Sequence, residues 1–389
     1  MKIRLASGRD KPVRFGHPWI FSGAIAALPD RAGIADVFAS GGELLGQGFY
    51  TPHARLAVRM LTHMGEPAFT PKTIEARIAR AIDRRHGLID EHNDSVRLVF
   101  AESDFLPGLV VDKFASTLAA QFNSAFAEAY RESITAALQN LINPERIIDT
   151  SDNEARNREG LPAIRRMNNR EECLIQSGGI RFAAAIGSGQ KTGFYLDQRE
   201  NRAIVAGFAS GKRVLDAFCY SGGFSVACLK AGAQSVTAID SSADALALLK
   251  RNAELNAAQI SPKGRLLPVE ADVFTELRKQ NSDGKKYDVI VLDPPKLAPS
   301  RSHAAAAEKA YKDLNLHGLH LSAEGAILAT FSCSGAMTHE KLRQVLHYAA
   351  HDAGRQVQLL QPLVQANDHP VLLSFPESEY LRGYLCRVL

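Results

Sequence analysis

One stretch, Arg213 to Ser241 (RVLDAFCYSGGFSVACLKAGAQSVTAIDS), constrains the fold of this chain more than any other. It reads as strand, turn, helix, strand. Val214 and Leu215 lead into Asp216, and Gly222 and Gly223 open a helix carrying Phe224, Val226, Ala227 and Leu229. Lys230 and Gly232 close that helix, a cation and a glycine where a helix end favours them. The second strand, SVTAI, ends on Asp240. Such a unit places a ligand over the carboxyl ends of parallel strands. The glycine pair lets a ligand approach the backbone, and an acid ending the second strand can accept hydrogen bonds from ribose hydroxyls. A dinucleotide such as NAD is the rival occupant. The G-x-G-x-x-G pyrophosphate fingerprint is absent, however, and Asp216 would set negative charge against a diphosphate. S-Adenosylmethionine, whose ammonium can face an acid, fits better, so methyl transfer is expected over hydride transfer.

The chain has 389 residues, long for one core, so two or three domains are expected. A net charge of +4 permits a polyanionic partner without demanding one. The five cysteines, Cys173, Cys219, Cys228, Cys333 and Cys386, are odd in number, widely spaced and never in C-x-x-C. Neither a disulfide framework nor a thiolate zinc site follows from them. His317 and His320 share a helix face without a third ligand nearby, so no metal is expected. The N-terminus lacks the apolar core of a signal peptide, and no run approaches the about 20 apolar residues of a membrane span. A cytoplasmic protein is the expectation.

Residues 1–70 read as a small β domain, with KIRL, LLGQGFY and LAVRML as strands between turn signals. Its first sixteen residues hold one acid, Asp10, against Lys2, Arg4, Arg9, Lys11 and Arg14, with Phe15, Trp19 and Phe21 close by. That is the composition of an RNA-backbone surface or of a solvated face. Residues 71–185 read as an α+β region. It starts with a helix capped at Thr70–Pro71 and striped by Ile74, Ile78 and Ile82, followed by the strands VRLVF, LVVDKF, STLAAQFN and ERIIDT around a helix FAEAYRESITAALQNLI. The segment holding Arg156, Arg158, Arg165, Arg166 and Arg170 is a candidate phosphate-contacting loop, or a flexible solvated one. Residues 186–389 alternate β and α, which predicts a mostly parallel sheet with helices on both faces.

Four carboxylates, Asp216, Asp240, Asp272 and Asp293, fall at four consecutive strand ends and so line one edge of one sheet. Asp240 is expected at the ribose, Asp272 near the adenine and Asp216 near the methionine end. The rest of the cofactor set is Phe194, Tyr195, Asp197, Gln198 and Arg199 from GFYLDQR, Tyr220, Gly222 and Gly223 from the glycine turn, and Asp293 itself. Asp293–Pro294–Pro295–Lys296 is stiff and short of N–H donors, suited to presenting carbonyls and a carboxylate to a flat base. Lys296 stands where amino-group methyltransferases usually carry an aromatic, which disfavours an exocyclic amine as the target. Cys333 ends the next strand between Ser332 and Ser334, beside the expected base site. C5 of cytosine is too weak a nucleophile to be methylated directly, but thiolate addition to C6 makes it enamine-like. The competing reading is a structural cysteine, the usual role of a free thiol.

The strings GRDKPVRFGHPWIFSGAI, RLVFAESDFLPGLVVDKF, SDNEARNREGL, GQKTGFYLDQRENR, LDAFCYSGGFS, VLDPPK, FSCSG and HPVLLSFPESEYLRGYL span nearly the whole chain. Together they resemble the RlmI-like (YccW-type) S-adenosylmethionine-dependent methyltransferases that make 5-methylcytosine in large-subunit (23S) rRNA. The resemblance implies an α/β chain: an N-terminal β-barrel PUA domain that binds RNA, a central α+β domain and a Rossmann-like class I methyltransferase domain. It implies Cys333 as the nucleophile and Asp293 as the group that orients cytosine near N3, with Pro294, Pro295 and Lys296 at the substrate. Its partners would be rRNA or a ribosomal precursor particle, and a second copy in a homodimer. The alternatives are a same-fold enzyme acting on another position, such as guanine N2, and a non-catalytic RNA-binding assembly factor.

Overall fold

The computed structural model describes residues 1–164, 171–187, 193–297 and 304–389. The chain divides into two compact units. The first comprises Met1–Ile175, Ala184–Phe194 and Asp368–Ser378; the second comprises Gln176–Ala183, Tyr195–Asn367 and Glu379–Leu389.

Two sheets of the described residues lie wholly in the first unit. One has five strands in the spatial order Lys2–Arg4, Gly33–Phe38, Leu44–Tyr50, Leu56–His63, Trp19–Phe21. Its apolar face buries Ile3, Leu5, Ile20, Val37, Leu45 and Val58. The strand Gly33–Phe38 was not expected: its sequence, GIADVF, interrupts the apolar run with Asp36, whose carboxylate accepts the Gln47 amide at 2.8 Å. The other sheet has four strands, Ser95–Phe100, Leu109–Phe114, Thr117–Phe122 and Arg146–Asp149. The helix Pro71–Arg85 covers it, capped by reciprocal Thr70 and Thr73 hydrogen bonds and burying Ile74, Ile78 and Ala81. The expected single helix after Ser124 is two, Ala125–Ala129 and Arg131–Ile142. The break falls at Tyr130, whose ring packs on Phe69 and Phe126 at 5.6 and 5.2 Å between centroids.

Arg85 is 2% exposed and makes a two-pronged pair with Asp104, both distances 2.7 Å. It also donates to the Asp368 carbonyl at 3.1 Å, and the Asp368 carboxylate accepts the Arg97 N–H at 2.9 Å. These bonds tie a late piece of sequence into the first unit. Two of the five arginines of the candidate phosphate loop are not in a loop and are paired within the chain. Arg156 is buried and committed to Glu128 (2.6 Å) and to the carbonyls of Phe122 (2.8 Å) and Pro162 (3.0 Å). It lies in a helix, Asn153–Arg158, and exposed Arg158 pairs with Glu154. Arg165, Arg166 and Arg170 lie outside the described residues.

The second unit is a doubly wound sheet, with elements numbered here within the unit. Helix α1 (Arg199–Ala206) precedes β1 (Arg213–Ala217), α2 (Gly223–Lys230), β2 (Ser235–Asp240), α3 (Ala243–Leu255), β3 (Arg265–Glu270), α4 (Val273–Ser282), β4 (Tyr287–Leu292), α5 (Ala304–Leu321), β5 (Ser322–Ser332), α6 (His339–Asp352), β6 (Val357–Val364) and β7 (Arg382–Val388). The spatial order is β3-β2-β1-β4-β5-β7-β6. The first five strands of this order pair in parallel, and β7 pairs antiparallel with both β5 and β6. The chain winds outward from β1 to β3 and then resumes on the other side of β1 with β4. The crevice at that reversal, over the carboxyl ends of β1 and β4, is where such a sheet binds ligands. Leucines and valines fill both faces, Leu215, Ile290, Leu292 and Leu328 on one and Val214, Val236, Val289 and Val291 on the other.

Candidate active site at the carboxyl ends of the parallel strands

The turn after β1 is built from unusual backbone. Phe218 (φ 63°), Tyr220 (φ 48°) and Gly222 (φ 80°) are all left-handed. Side chains other than glycine adopt this conformation at a cost of roughly 1–3 kcal/mol, and such strain gathers at functional sites. The turn is held by Asp240, whose two oxygens accept the N–H groups of Tyr220 and Ser242, each at 2.9 Å. An added Cβ at Gly222 would lie 2.0 Å from Leu249 Cδ1, and one at Gly223 would meet the Arg202 side chain at 3.1 Å. Gly222 is therefore demanded by the chain's own backbone and packing, and Gly223 sits close against Arg202. Gly222→Ala combines a left-handed alanine with overpacking, for an expected loss of roughly 2–4 kcal/mol in denaturant unfolding.

Asp216 is 1% exposed. One of its oxygens accepts the Ser225 N–H (3.0 Å) and hydroxyl (2.6 Å). Its other oxygen is buried with no protein partner. Burial pushes its pKa up to about 7, with the Ser225 hydrogen bonds opposing and the charge of Asp240 adding. A buried carboxylate oxygen without a donor fits the ammonium of S-adenosylmethionine. Asp272 caps α4: its carboxylate accepts the Thr275 N–H (2.9 Å) and hydroxyl (2.8 Å), which hold its pKa below the usual range. The remaining Asp272 surface is exposed, at the end of β3 next to Asp240's strand.

Asp293 follows β4, and its carboxylate accepts the Gln198 amide at 3.0 Å. Gln198 in turn accepts from Asn201 at 2.6 Å, and Asn201 also donates to the Val364 carbonyl at 2.9 Å. Asp197 is buried, takes the Tyr380 hydroxyl at 2.5 Å, and accepts the Ala366 N–H at its carbonyl. Arg202 donates to the Tyr195 carbonyl at 2.8 Å, and burial brings its pKa down to about 10. The LDQR run, a 3-10 turn entering α1 with Arg199 buried, is thus laced to the unit rather than projecting from it. Tyr195 stands edge-on to Tyr220, centroids 5.3 Å apart. Its hydroxyl pKa is raised first by burial and then by Asp293, Tyr220, Asp197 and Cys333, which places all five groups in one neighbourhood. Phe194 is buried as the last residue of the first unit's 184–194 segment. Pro294 is buried, whereas Pro295 and Lys296 are exposed.

Cys333 directly follows β5, the parallel neighbour of β4, with Leu292 opposite Thr330 in the register. It is half-exposed, unlike the other cysteines of this unit, Cys219, Cys228 and Cys386. Burial raises the thiol pKa of all three, that of Cys386 to about 12, which removes them as nucleophiles. Sequence reasoning missed Tyr311, Arg202, Tyr380 and Asn252. Asn252 accepts the Ala183 N–H at 2.7 Å and donates to the Ser221 carbonyl at 2.8 Å, bracing the glycine turn from α3. Asn252 in α3 and Asn256 at its C-terminal cap, four residues apart, were the available signal; Asn256 exchanges two hydrogen bonds with the Arg181 backbone. Among the described residues no group of three His, Cys, Asp or Glu side chains could hold a metal ion, and no helix is long and apolar enough to cross a membrane.

The S-adenosylmethionine-dependent methyltransferase family matches residues 167–333, and the PUA-like domain family matches residues 3–63. The cofactor is accordingly S-adenosylmethionine. The ribosomal RNA large subunit methyltransferase I of Pseudoalteromonas atlantica is 40% identical over 395 residues, covering 100% of this chain and 99% of the relative. Two solved structures share the fold over 100% of both chains. One, described as a SAM-dependent methyltransferase from Streptococcus mutans, has a TM-score of 0.83 at 20% identity. The other, solved in complex with SAH, has 0.84 at 19%. Matched over its whole length by that relative and bearing both domains, this chain belongs to the ribosomal RNA large subunit methyltransferase I family.

Proposed function

We propose that this enzyme methylates C5 of a cytosine in large-subunit rRNA through a covalent bond between Cys333 and C6. The observation that carries the reading is that Asp293 and Cys333 directly follow adjacent parallel strands, with Cys333 the one half-exposed thiol of its unit. The name of the 40% identical relative supplies the substrate class.

When bound, S-adenosylmethionine supplies the electrophilic methyl group that C5 takes up. Asp216 would hold its ammonium, Asp240 its ribose and Asp272 the adenine side, with Tyr195 and Tyr220 near the methionine end. Asp293, already fixed by Gln198, orients the base near N3, and the rigid Pro294–Pro295 step with Lys296 borders it. Cys333 adds as thiolate to C6 and raises electron density at C5. After methylation, loss of the C5 proton to a base expels the thiolate and restores the aromatic ring. Holding both reactants in one crevice supplies much of the acceleration.

In the first unit Phe15 is 74% exposed, and Phe21, 46% exposed, lines a groove with Gly8, Arg9, Pro12 and Trp19. That surface offers stacking faces and cations to unpaired rRNA, naked or in a precursor particle. A division at about residues 70 and 185 and a homodimeric, cytoplasmic enzyme belong to the same proposal.

The test uses rRNA from cells lacking the protein, labelled S-adenosylmethionine and nucleoside mass spectrometry. Label is expected in 5-methylcytidine. RNA carrying 5-fluorocytidine, which has no C5 proton to lose, is expected to trap a stable adduct on the Cys333 peptide. Label in a methylguanosine, with no adduct, would sink the reading.

A further inference from the structure

Helix α5 and strand β5 meet in an apolar cluster that includes Leu314, Leu319, Leu321 and Leu328. Polar side chains interrupt it. Thr330 and Ser332 follow Leu328 at a spacing of two on β5 and so share its face, while Tyr311 and Asn315 sit one turn apart on α5. All four are fully buried. The Ser332 hydroxyl donates to the Tyr311 hydroxyl oxygen at 2.9 Å, and the Tyr311 hydroxyl reaches Ser334 Oγ at 3.5 Å. The Ser334 N–H donates to Ser332 Oγ at 3.2 Å, closing a three-membered ring of contacts. Asn315 anchors the same turn of α5 by donating to the Tyr311 carbonyl at 2.8 Å.

Cys333 lies between the two serines. Ser332 and Ser334 are fully buried and Cys333 is half-exposed, the alternation of an extended chain. The inward serines thus decide which way the thiol points. Gly335 follows immediately, so the backbone beyond offers little restraint of its own. A phenylalanine would fill the Tyr311 site as well. A buried hydroxyl there is unfavourable unless hydrogen-bonded, and its partners are the two residues flanking Cys333. Burial, then the nearby Cys333 and Asp293, raise the Tyr311 pKa, against the opposing serine hydrogen bonds.

We propose that Tyr311, acting through Ser332 and Ser334, is a positioning residue that fixes the turn presenting the Cys333 thiol to the base. The proposal rests on the reading of Cys333 as nucleophile, and its test separates the two. In Tyr311→Phe the methylation kcat is expected to fall roughly 10- to 100-fold, with KM for S-adenosylmethionine within about twofold. Alkylation of Cys333 by iodoacetamide, followed on its own peptide by mass spectrometry, is expected to change in rate and in pH midpoint. Ser332→Thr, which keeps the hydroxyl, is expected to retain more activity than Ser332→Ala. Wild-type kcat and alkylation in Tyr311→Phe would overturn the proposal. So would a loss shared equally with cofactor affinity and thermal stability, which is the signature of packing alone. Methylation surviving in Cys333→Ala would remove the nucleophile reading, while the alkylation result would still report on how Tyr311 holds the thiol.

Discussion

Cys333→Ala is expected to abolish formation of 5-methylcytidine, with single-turnover methyl transfer down on the order of 10³-fold or more. The reason is electronic. C5 of an intact cytosine does not displace a methyl group from sulfur at a useful rate, and only the C6 adduct gives it enamine character. No neighbour can replace the thiol: Cys219, Cys228 and Cys386 are buried with raised pKa values. Cys333→Ser is expected to fail almost as completely, since a serine hydroxyl is barely ionised near neutral pH. Because Cys333 is half-exposed, its truncation should change stability by less than about 1 kcal/mol. Cofactor affinity by calorimetry and unfolding by denaturant should therefore match wild type while the product disappears. Methylation that persists in Cys333→Ala would return this residue to a packing role and leave Asp293 and the DPPK turn to act on an exocyclic amine.

The parts of this site written in adjacent residues were legible, and the parts written across the chain were not. Asp216, Gly222 and Asp240 announce themselves because strand, turn and helix follow one another within thirty or so residues, and the β–α alternation after Gly187 foretold the parallel sheet. Sequence periodicity carries no information about which distant side chain completes a strand end. Gln198 reaches Asp293 and Tyr380 reaches Asp197 over separations of 95 and 183 residues. Tyr311 follows an alanine run, Ala304 to Ala307, that marks no site, and its hydroxyl acquires meaning only against β5. Arg156 shows the opposite error: a run of arginines reads as a phosphate surface, yet this one is spent inside on Glu128 and two carbonyls. The Asp368–Ser378 segment is pinned in the first unit by Arg85 and Arg97, a pairing no local pattern signals.

Asp216→Asn is expected to stabilise the cofactor-free protein and to cripple cofactor binding. In the folded chain the Asp216 pKa stands at about 7 against 3.8 for the ordinary carboxyl. A raised carboxyl pKa means that the folded state holds this proton more tightly than the unfolded state. The cost of ionising it is therefore absent below the unfolded value, builds as pH rises from 3.8 to about 7, and is constant above that. At about 1.4 kcal/mol per unit the full penalty is on the order of 4 kcal/mol. Asparagine keeps the shape and one acceptor for Ser225, so Asp216→Asn should recover roughly 2–4 kcal/mol at pH 8 and flatten the stability profile between pH 4 and pH 7. Binding should move the other way. A cationic ammonium prefers the ionised form, so wild-type affinity for S-adenosylmethionine should climb as pH approaches about 7 and then level off. In Asp216→Asn it should be roughly 10- to 100-fold weaker and free of that climb, in line with a lost charge-assisted hydrogen bond. Calorimetric titration from acid to mildly alkaline pH decides the point. An unchanged affinity with the same pH profile would mean that the ammonium docks elsewhere and that the unpartnered oxygen of Asp216 serves some other donor. A more stable protein that has lost its cofactor would show that the buried acid is kept for binding, at the expense of the fold.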